Sequence, residues 1–245
     1  MQYETKRRSV LKAVSWRTLA TITTTLLVFI FTGRATIAIT VGLLEVIAKL
    51  LLYFVHERVW QKIWYGKRDV PAFVVWLTGL PASGKKAVGD AVHRLLKRER
   101  FRVERLDSRD IRSLFPEVGF SPKEVESHVK RAGHLVSMLE RNGVSVVFSS
   151  VSPFLKSRQF TRDLVTNFIE VHMSAPVAVC EERDADGHYA RARRGDYVHF
   201  PGVDMAYEEP LSPDVTIDAD GALYPEAAAR EIVTYIKRKI VRVTS

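Results

Sequence analysis

The chain has 245 residues, 47% hydrophobic and 27% charged, a composition that allows one or two domains with a buried core. A single cysteine, Cys180, excludes an internal disulfide framework. The net charge of +9 is concentrated at one end, because residues 1–68 hold 11 Lys and Arg against three Glu. The rest of the chain is nearly neutral. A broad nucleic-acid-binding face is therefore not indicated, and no nucleic-acid partner is expected.

Two apolar stretches occupy residues 13–32 and 35–55 and are separated by Gly33 and Arg34. Each has about 20 residues, which is enough for a helix to cross a hydrocarbon core of roughly 30 Å. The alternative is a buried helical hairpin in a soluble domain. We expect residues 1–66 to form an all-α transmembrane hairpin that holds the chain in the lipid bilayer.

Basic residues flank this hairpin on the outer side of both spans, at Lys6, Arg7, Arg8, Lys12, Arg58, Lys62, Lys67 and Arg68. Only Arg34 lies in the connection. The positive-inside rule then predicts a multi-pass protein of the inner (cytoplasmic) membrane, with both termini in the cytoplasm. Glu45 and Lys49 are one helical turn apart in the second span, acid first, which favours an ion pair. This pair is expected to fix helix packing or self-association rather than an ion pathway, so a homodimer is possible.

A phosphate-binding pattern starts at Gly79, where an apolar, β-branched run ends. Gly79, Gly84 and Lys85 have the G-x-x-x-x-G-K spacing, and the helix-forming segment Ala87–Arg98 follows. A strand, a turn with free N–H groups and a helix N-terminus make a phosphate cradle. The next position should be Ser or Thr, whose hydroxyl holds Mg²⁺, but it is Lys86. The pattern predicts nucleotide binding with one metal ligand missing, and a coincidental turn is the alternative.

After a linker at residues 67–72, apolar runs alternate with helical stretches to the end of the chain. The expected strands are Phe73–Thr78, Arg102–Leu106, Ser145–Ser149, Phe168–Met173 and Asp214–Asp218. The expected helices are Ala87–Arg98, Lys123–Arg141, Pro176–Asp184 and Tyr224–Val241. This alternation predicts an α/β domain at residues 73–245, with a P-loop NTPase-type parallel sheet flanked by helices. The polar segment at about residues 185–210 is typical of a lid.

Segments within residues 72–218 resemble the adenylyl-sulfate kinase (APS kinase) family, in the same order and at compatible spacing. They are Trp76–Lys85, Leu106–Arg112, Gly119–Pro122, Ser149–Phe154, Cys180–Asp184, Gly187–Gly195 and Phe200–Leu211. Members of this family transfer the γ-phosphoryl group of ATP to the 3′-hydroxyl of adenylyl sulfate in sulfate assimilation. Arg8–Thr21 and Lys49–Trp60 resemble a two-helix bacterial membrane domain of unknown function, which implies no activity.

The kinase resemblance implies roles for individual side chains. The residues expected to bind ATP are Gly79, Ser83, Gly84, Lys85, Lys86 and Arg183. Those expected to act in catalysis are Lys85, Asp107, which would orient the hydroxyl, and Ser152, which matches a serine assigned to the family's active site. Adenylyl sulfate would be bound by Arg112, at its phosphosulfate, and by Phe120 and Phe200, on either side of its adenine.

The sequence departs from the family pattern at several of these positions. They are Lys86 for Ser or Thr, Arg109 for an acidic residue, Val125 and His128 for a substrate-binding Arg and Asn, and Asp186 for Lys. Because Mg²⁺ demands oxygen ligands, the losses predict weakened Mg²⁺ binding. Three functions stay open: a membrane-tethered, divergent APS kinase, a degenerate relative that binds nucleotide or adenylyl sulfate in a scaffold or regulatory role, and another small-molecule kinase of the same fold.

Overall fold

The computed structural model describes residues 6–62 and 70–241. The chain divides into two compact units, residues 1–67 and 68–245. In the first unit, α1 (Lys6–Thr32) and α2 (Ala35–Lys62) form a helical hairpin. Glu45 and Lys49 of α2 form an ion pair, and Thr24 Oγ1 of α1 donates a hydrogen bond of 3.2 Å to Glu45 Oε1. The hydrogen bond between Thr24 and Glu45 therefore joins the two helices.

The described part of the hairpin contains one segment, Ala35–Val55, that is long and apolar enough to cross a membrane, with a mean hydropathy of 2.1. The apolar part of α1 is shorter, at Ala20–Thr32. The first predicted span, residues 13–32, is helical throughout. The predicted orientation depends largely on the side chains of residues 1–17 and 60–69, which the structure does not describe, so the orientation stays a prediction.

The second unit contains a parallel sheet of five strands in the order β2-β3-β1-β4-β5. Its strands are β1 (Val74–Thr78), β2 (Val103–Asp107), β3 (Ser145–Ser149), β4 (Phe168–Ser174) and β5 (Val215–Asp218). The helices are α3 (Lys85–Arg98), α4 (Ser108–Ser113), α5 (Pro122–Arg141), α6 (Leu155–Leu164), α7 (Val177–Glu182), α8 (His188–Arg193) and α9 (Pro225–Ile236), which continues as a π-helical turn, Lys237–Val241. The predicted α/β class is confirmed.

The central strand β1 is completely buried, and its side chains alternate between two hydrophobic cores. Val75 and Leu77 pack in the core that contains residues of α3 and α9. Val74 and Trp76 pack in the core that contains residues of α5. Burial on both faces is what a parallel sheet requires, and it accounts for the continuous apolar run of this strand.

The register of the central strands brings three carboxyl ends to one edge of the sheet. Leu77 of β1 is level with Ser149 of β3, which is in turn level with Asp107 of β2. Each of these strands leads at that edge into a loop or helix that carries predicted site residues. In open α/β sheets, ligands bind outside the carboxyl ends of the strands, so this edge is where we place the candidate site.

Candidate functional site

A phosphate-binding loop, residues 79–85, connects β1 to the first turn of α3. Gly79 and Gly84 adopt positive φ values of 152° and 89°. Lys85 Nζ donates hydrogen bonds to Leu80 O at 2.5 Å and to the buried Ser83 Oγ at 3.2 Å. Burial lowers the pKa of Lys85 to about 8. The loop thus places an ammonium group beside free N–H groups at a helix N-terminus, an arrangement that attracts phosphate.

The segment after β5 covers one side of this loop. A Cβ on residue 84 would collide with Leu223 Cδ2, so the absence of a side chain at Gly84 permits this close approach. Arg183 at the end of α7 donates a hydrogen bond to Gly221 O, and its Nη1 is buried without a hydrogen-bond partner. Arg183 belongs to a motif and was expected at the site, whereas Leu223 was not predicted, because a single leucine outside any motif gives no signal in the sequence.

The predicted lid, residues 185–210, contains α8 and is attached to the loop region by two tyrosines. Tyr189 Oη donates to Pro81 O at 3.1 Å, and Tyr207 Oη lies 3.0 Å from Thr78 Oγ1. Burial raises the pKa of Tyr207 to about 12, so it remains a neutral phenol. Cys180 packs with Leu80 and Tyr189. Burial raises the pKa of the Cys180 thiol, which fits a small packing residue rather than a nucleophile.

Asp107 closes the carboxyl end of β2 and caps α4. Its Oδ1 accepts a hydrogen bond of 3.0 Å from the Arg109 backbone N–H, while Asp110 Oδ2 accepts one from the Asp107 N–H. Arg105 Nη2 lies 3.8 Å from Asp107 Oδ2. The Arg109 side chain is 76% exposed, with its Nε 3.6 Å from Asp107 Oδ1. A carboxylate at the expected position is therefore flanked by two guanidinium groups.

Arg112 and Phe120 lie together beyond α4. Arg112 Nη1 donates to Val118 O and Gly119 O, each at 2.9 Å, and its guanidinium carbon lies 4.2 Å from the Phe120 ring centroid. The Phe120 ring is 61% exposed. Phe200 lies elsewhere, in the lid, edge-on to Tyr189 with ring centroids 5.0 Å apart. The two rings expected to sandwich adenine make no ring contact with each other in the described structure.

Ser152 is buried in a hydrogen-bond network behind the loop. Its Oγ accepts from Trp76 Nε1 and donates to Thr78 Oγ1, each at 3.0 Å. The Ser152 backbone has a positive φ of 38°. Its hydroxyl proton is thus already committed to a neighbouring side chain, and Thr78 links Ser152 to Tyr207 of the lid.

His128, at a position where the family pattern has Asn, is buried on α5. Its Nε2 lies 2.8 Å from Ser108 Oγ, and its Nδ1 is buried without a partner. Burial, together with the charges of Arg112 and Arg131, lowers the pKa of His128 to about 4, so the imidazole is neutral at neutral pH. At Val125 and Asp186 the sequence also differs from the family pattern, and neither side chain supplies the positive charge of the Arg or Lys expected there.

Comparison with known proteins identifies both units. The adenylylsulphate kinase family model matches residues 71–218. The chain belongs to the adenylylsulphate kinase family. A second family model, described as a predicted membrane protein (DUF2061), matches residues 10–61. Both resemblances inferred from the sequence are confirmed.

Individual relatives agree with this assignment. The adenylyl-sulfate kinase of Halothermothrix orenii is 35% identical over 173 residues, which cover 70% of this chain and 93% of the relative. The probable adenylyl-sulfate kinase of Synechocystis sp. is 40% identical over 147 residues, covering 60% and 83%. A solved structure of the Mycobacterium tuberculosis APS kinase CysC, in complex with AMPPNP and APS, matches with a TM-score of 0.64 and 30% identity, covering 68% of this chain and 98% of that one.

The residues of this APS kinase family member do not suit the Mg²⁺ ion that the family pattern implies. Lys86 stands at the hydroxyl-ligand position, and its Nζ forms an ion pair of 3.0 Å with Asp90 Oδ2 along α3. Asp107 Oδ1 accepts the hydrogen bond that caps α4, and Asp107 Oδ2 lies close to the Arg105 guanidinium. No group of three His, Cys, Asp or Glu able to hold a metal occurs in the part of the chain that the structure describes. Mg²⁺ requires oxygen ligands, and Lys86 and Arg109 supply none at two positions where the family pattern has them.

Proposed function

We propose that this chain is a membrane-tethered adenylyl-sulfate kinase that transfers the γ-phosphoryl group of ATP to the 3′-hydroxyl of adenylyl sulfate. The observation that carries the proposal is the common edge of the sheet, where Lys85 lies beyond the end of β1, Asp107 ends β2 and Arg112 lies just after β2. The names of the relatives and the AMPPNP and APS bound to the Mycobacterium tuberculosis protein support it. Phosphoryl transfer depends mainly on positioning and charge, which these residues supply.

On the nucleotide side, the phosphate-binding loop and Lys85 would hold the ATP phosphates. Lys85 Nζ uses two of its three protons within the loop, which leaves one to donate to phosphate. Arg183 has an unpaired buried Nη1 beside the segment that contains Gly221 and Leu223. These groups would bind the rest of the nucleotide, while the lid would exclude water.

On the acceptor side, Arg112 would bind the phosphosulfate group and Phe120 and Phe200 the adenine. The Arg112 guanidinium holds the backbone that carries Phe120, so one residue would fix both parts of the acceptor site. Asp107 would accept a hydrogen bond from the 3′-hydroxyl through Oδ2, because Oδ1 is used in the α4 cap. Ser152 would contribute indirectly, because its hydrogen bond holds Thr78, which in turn bonds to Tyr207 of the lid.

A second candidate function is a catalytically degenerate relative that binds a nucleotide or adenylyl sulfate in a scaffold or regulatory role. The observation that favours it is the altered metal position, where Lys86 and Arg109 replace an expected hydroxyl and carboxylate. Loss of a single transition-state contact typically lowers the rate about 10²- to 10³-fold. Several such losses would leave binding without turnover.

The decisive experiment is a coupled ADP-release assay on the full chain in detergent micelles, with ATP binding followed by calorimetry. An active kinase releases ADP only when adenylyl sulfate is present, and Lys85→Met abolishes the signal. Lys97→Met, at an exposed site on the same helix, is the matched control. Binding without turnover supports the second candidate. ADP release that ignores adenylyl sulfate supports another small-molecule kinase, and the absence of both binding and turnover overturns these proposals.

The kinase unit would lie in the cytoplasm, where ATP is, and α1 and α2 would both cross the inner membrane. Cys180 is the only native cysteine and is buried, so introduced cysteines give a clean accessibility test. A membrane-impermeant maleimide should label Thr36→Cys in intact cells, but Met138→Cys, an exposed position on α5, only after permeabilisation. Labelling of Met138→Cys in intact cells would contradict this topology. A homodimer stays a prediction.

A further inference from the structure

A cluster of charged side chains lies where the first turns of α3 meet β2. It contains Lys86 and Asp90 of α3 with Arg105 and Asp107 of β2, and we call it the charge cluster. The Asp90 carboxylate bridges two cations, with Oδ2 3.0 Å from Lys86 Nζ and Oδ1 3.0 Å from Arg105 Nε. The Lys86 side chain is 63% exposed, but that of Arg105 is only 13% exposed. The centre of the cluster is therefore a largely buried guanidinium group on β2.

Arg105 connects three elements beneath the phosphate-binding loop. Its Nη2 donates to Ser149 Oγ at 2.8 Å, and its Nη1 donates to Val147 O at 3.2 Å, both on β3. A Cβ on Gly89 of α3 would stand 2.8 Å from Arg105 Nη2, so this glycine makes room for the guanidinium. The Arg105 guanidinium is therefore held in a fixed position by its surroundings and is not a mobile surface group.

The cluster reaches the loop through Ser149. Ser149 Oγ donates a hydrogen bond of 3.3 Å to Lys85 O, so Arg105 is two hydrogen bonds away from the lysine at the loop. On its other side, Arg105 Nη2 lies 3.8 Å from Asp107 Oδ2. The same guanidinium thus orients the backbone of Lys85 and balances the carboxylate that would face the acceptor hydroxyl.

The charge cluster and the adjacent Arg109 together carry a net positive charge without a metal. Three positive charges come from Lys86, Arg105 and Arg109. Two negative charges, on Asp90 and Asp107, form ion pairs with them. A divalent cation would enter a region that is already positive and would find few free oxygens. Nearby like charges in a partly buried region repel one another strongly, so the cluster and the ion compete for one place.

We propose that the charge cluster, centred on Arg105, replaces the divalent cation, so that this chain binds a nucleoside triphosphate without metal. Arg105 is a positioning residue in this scheme, because it acts through Ser149 and Asp107 and is not itself placed against the phosphates. The inference rests on the proposed nucleotide binding, but it concerns the metal requirement of that binding and not turnover.

The test is calorimetric titration of the full chain, in detergent micelles, with ATP in excess EDTA and again in excess Mg²⁺. The expected result is a pair of dissociation constants within about threefold of each other. Affinity that falls more than about tenfold in EDTA overturns the inference. The proposed kinase activity would survive that result, since it is measured separately by ADP release. Failure to bind ATP in either buffer overturns the proposed nucleotide binding and this inference together.

Variants separate the positioning role from a merely structural one. Arg105→Leu should weaken binding of metal-free ATP about 10- to 100-fold, and Arg105→Lys should restore part of the loss, because the affected contacts are charge-assisted hydrogen bonds. Arg94→Gln, on the exposed face of α3, removes an ion pair with Glu226 and is the matched control. Equal weakening by the control, or no weakening by Arg105→Leu, overturns the role of Arg105.

A double variant keeps the inference testable if Arg105→Leu does not fold. Lys86→Ser combined with Arg109→Asp touches only exposed side chains of this region and restores the oxygen ligands of the family pattern. This double variant should acquire Mg²⁺-dependent ATP binding that the native chain lacks. A double variant that still binds ATP equally well in EDTA and in Mg²⁺ counts against the charge cluster as the substitute for the metal.

Discussion

Trp76 Nε1 donates a hydrogen bond of 3.0 Å to Ser152 Oγ, and both side chains are buried at the back of the phosphate-binding loop. Ser152 in turn donates to Thr78, which bonds to Tyr207 of the lid. We expect Ser152 to have a mechanical role, because its hydroxyl joins the central strand to the lid.

Replacement of Ser152 by alanine tests that role. The substitution leaves the buried indole N–H of Trp76 without an acceptor, which should lower the free energy of unfolding by about 1–3 kcal/mol. Chemical denaturation of the full chain measures the loss. Ser113→Ala, at an exposed serine on α4, is the control and should change stability little. Unchanged stability with abolished turnover would instead indicate a direct chemical role for Ser152.

The sequence allowed the sheet to be predicted more closely than the helices. All five strands lie within one residue of the predicted bounds, because buried parallel strands appear as short apolar runs between turn residues. The helices α4, α6 and α8 were not predicted. Of these, α4 and α8 have six residues each, too few for an apolar periodicity to emerge. Each is fixed by its position at the sheet edge or in the lid rather than by its pattern.

The site could be predicted only where residues belong to contiguous motifs. Lys85, Asp107 and Arg112 belong to such motifs, and the structure places all three at or beyond strand ends on the same edge of the sheet, while their roles stay predictions. Arg105 and Leu223 were missed. Their significance depends on contacts with Ser149 and Gly84, distant in sequence, and a single sequence contains no signal for such contacts.

Arg112 should determine affinity for the acceptor rather than for ATP. Arg112→Gln removes both hydrogen bonds to the 118–119 backbone and the contact with Phe120, so we expect the KM for adenylyl sulfate to rise about 10- to 100-fold with little change in the KM for ATP. Steady-state ADP release measures both constants. Arg141→Gln, at the far end of α5, is the control. A parallel rise in both KM values would show that Arg112 supports the whole domain instead.

Lys85 should make nucleotide binding sensitive to alkaline pH. Burial lowers the pKa of Lys85 to about 8, so in the nucleotide-free protein the Lys85 ammonium group loses its proton and its charge above that pH. Phosphate binds the charged form, so binding at higher pH must take up a proton, and the association constant should fall by up to about tenfold per pH unit. Calorimetry at about pH 8.5 in two buffers of different ionisation enthalpy detects the proton uptake. Constant affinity between about pH 7.5 and 9.5 would contradict this assignment.

His128 should destabilise the fold in acid. The folded chain holds this imidazole with a pKa of about 4, against an unperturbed value of 6.5, so the unfolded state binds more protons between these two pH values. Stability is therefore unaffected by His128 above pH 6.5 and falls as the pH drops from 6.5 to 4. The loss should amount to about 3 kcal/mol, since each pKa unit corresponds to about 1.4 kcal/mol.

Substitution of His128 by Asn, the residue of the family pattern, isolates the contribution of His128 to the pH dependence of stability. Denaturation of the full chain between about pH 7 and pH 4 should show a shallower loss of stability for His128→Asn than for the native chain, because the amide does not titrate. His134→Asn, at an exposed histidine on the same helix, should keep the native slope. Equal slopes for the native chain and His128→Asn would show that the imidazole is already protonated in the folded state, and would remove the basis for a neutral His128 beside Ser108.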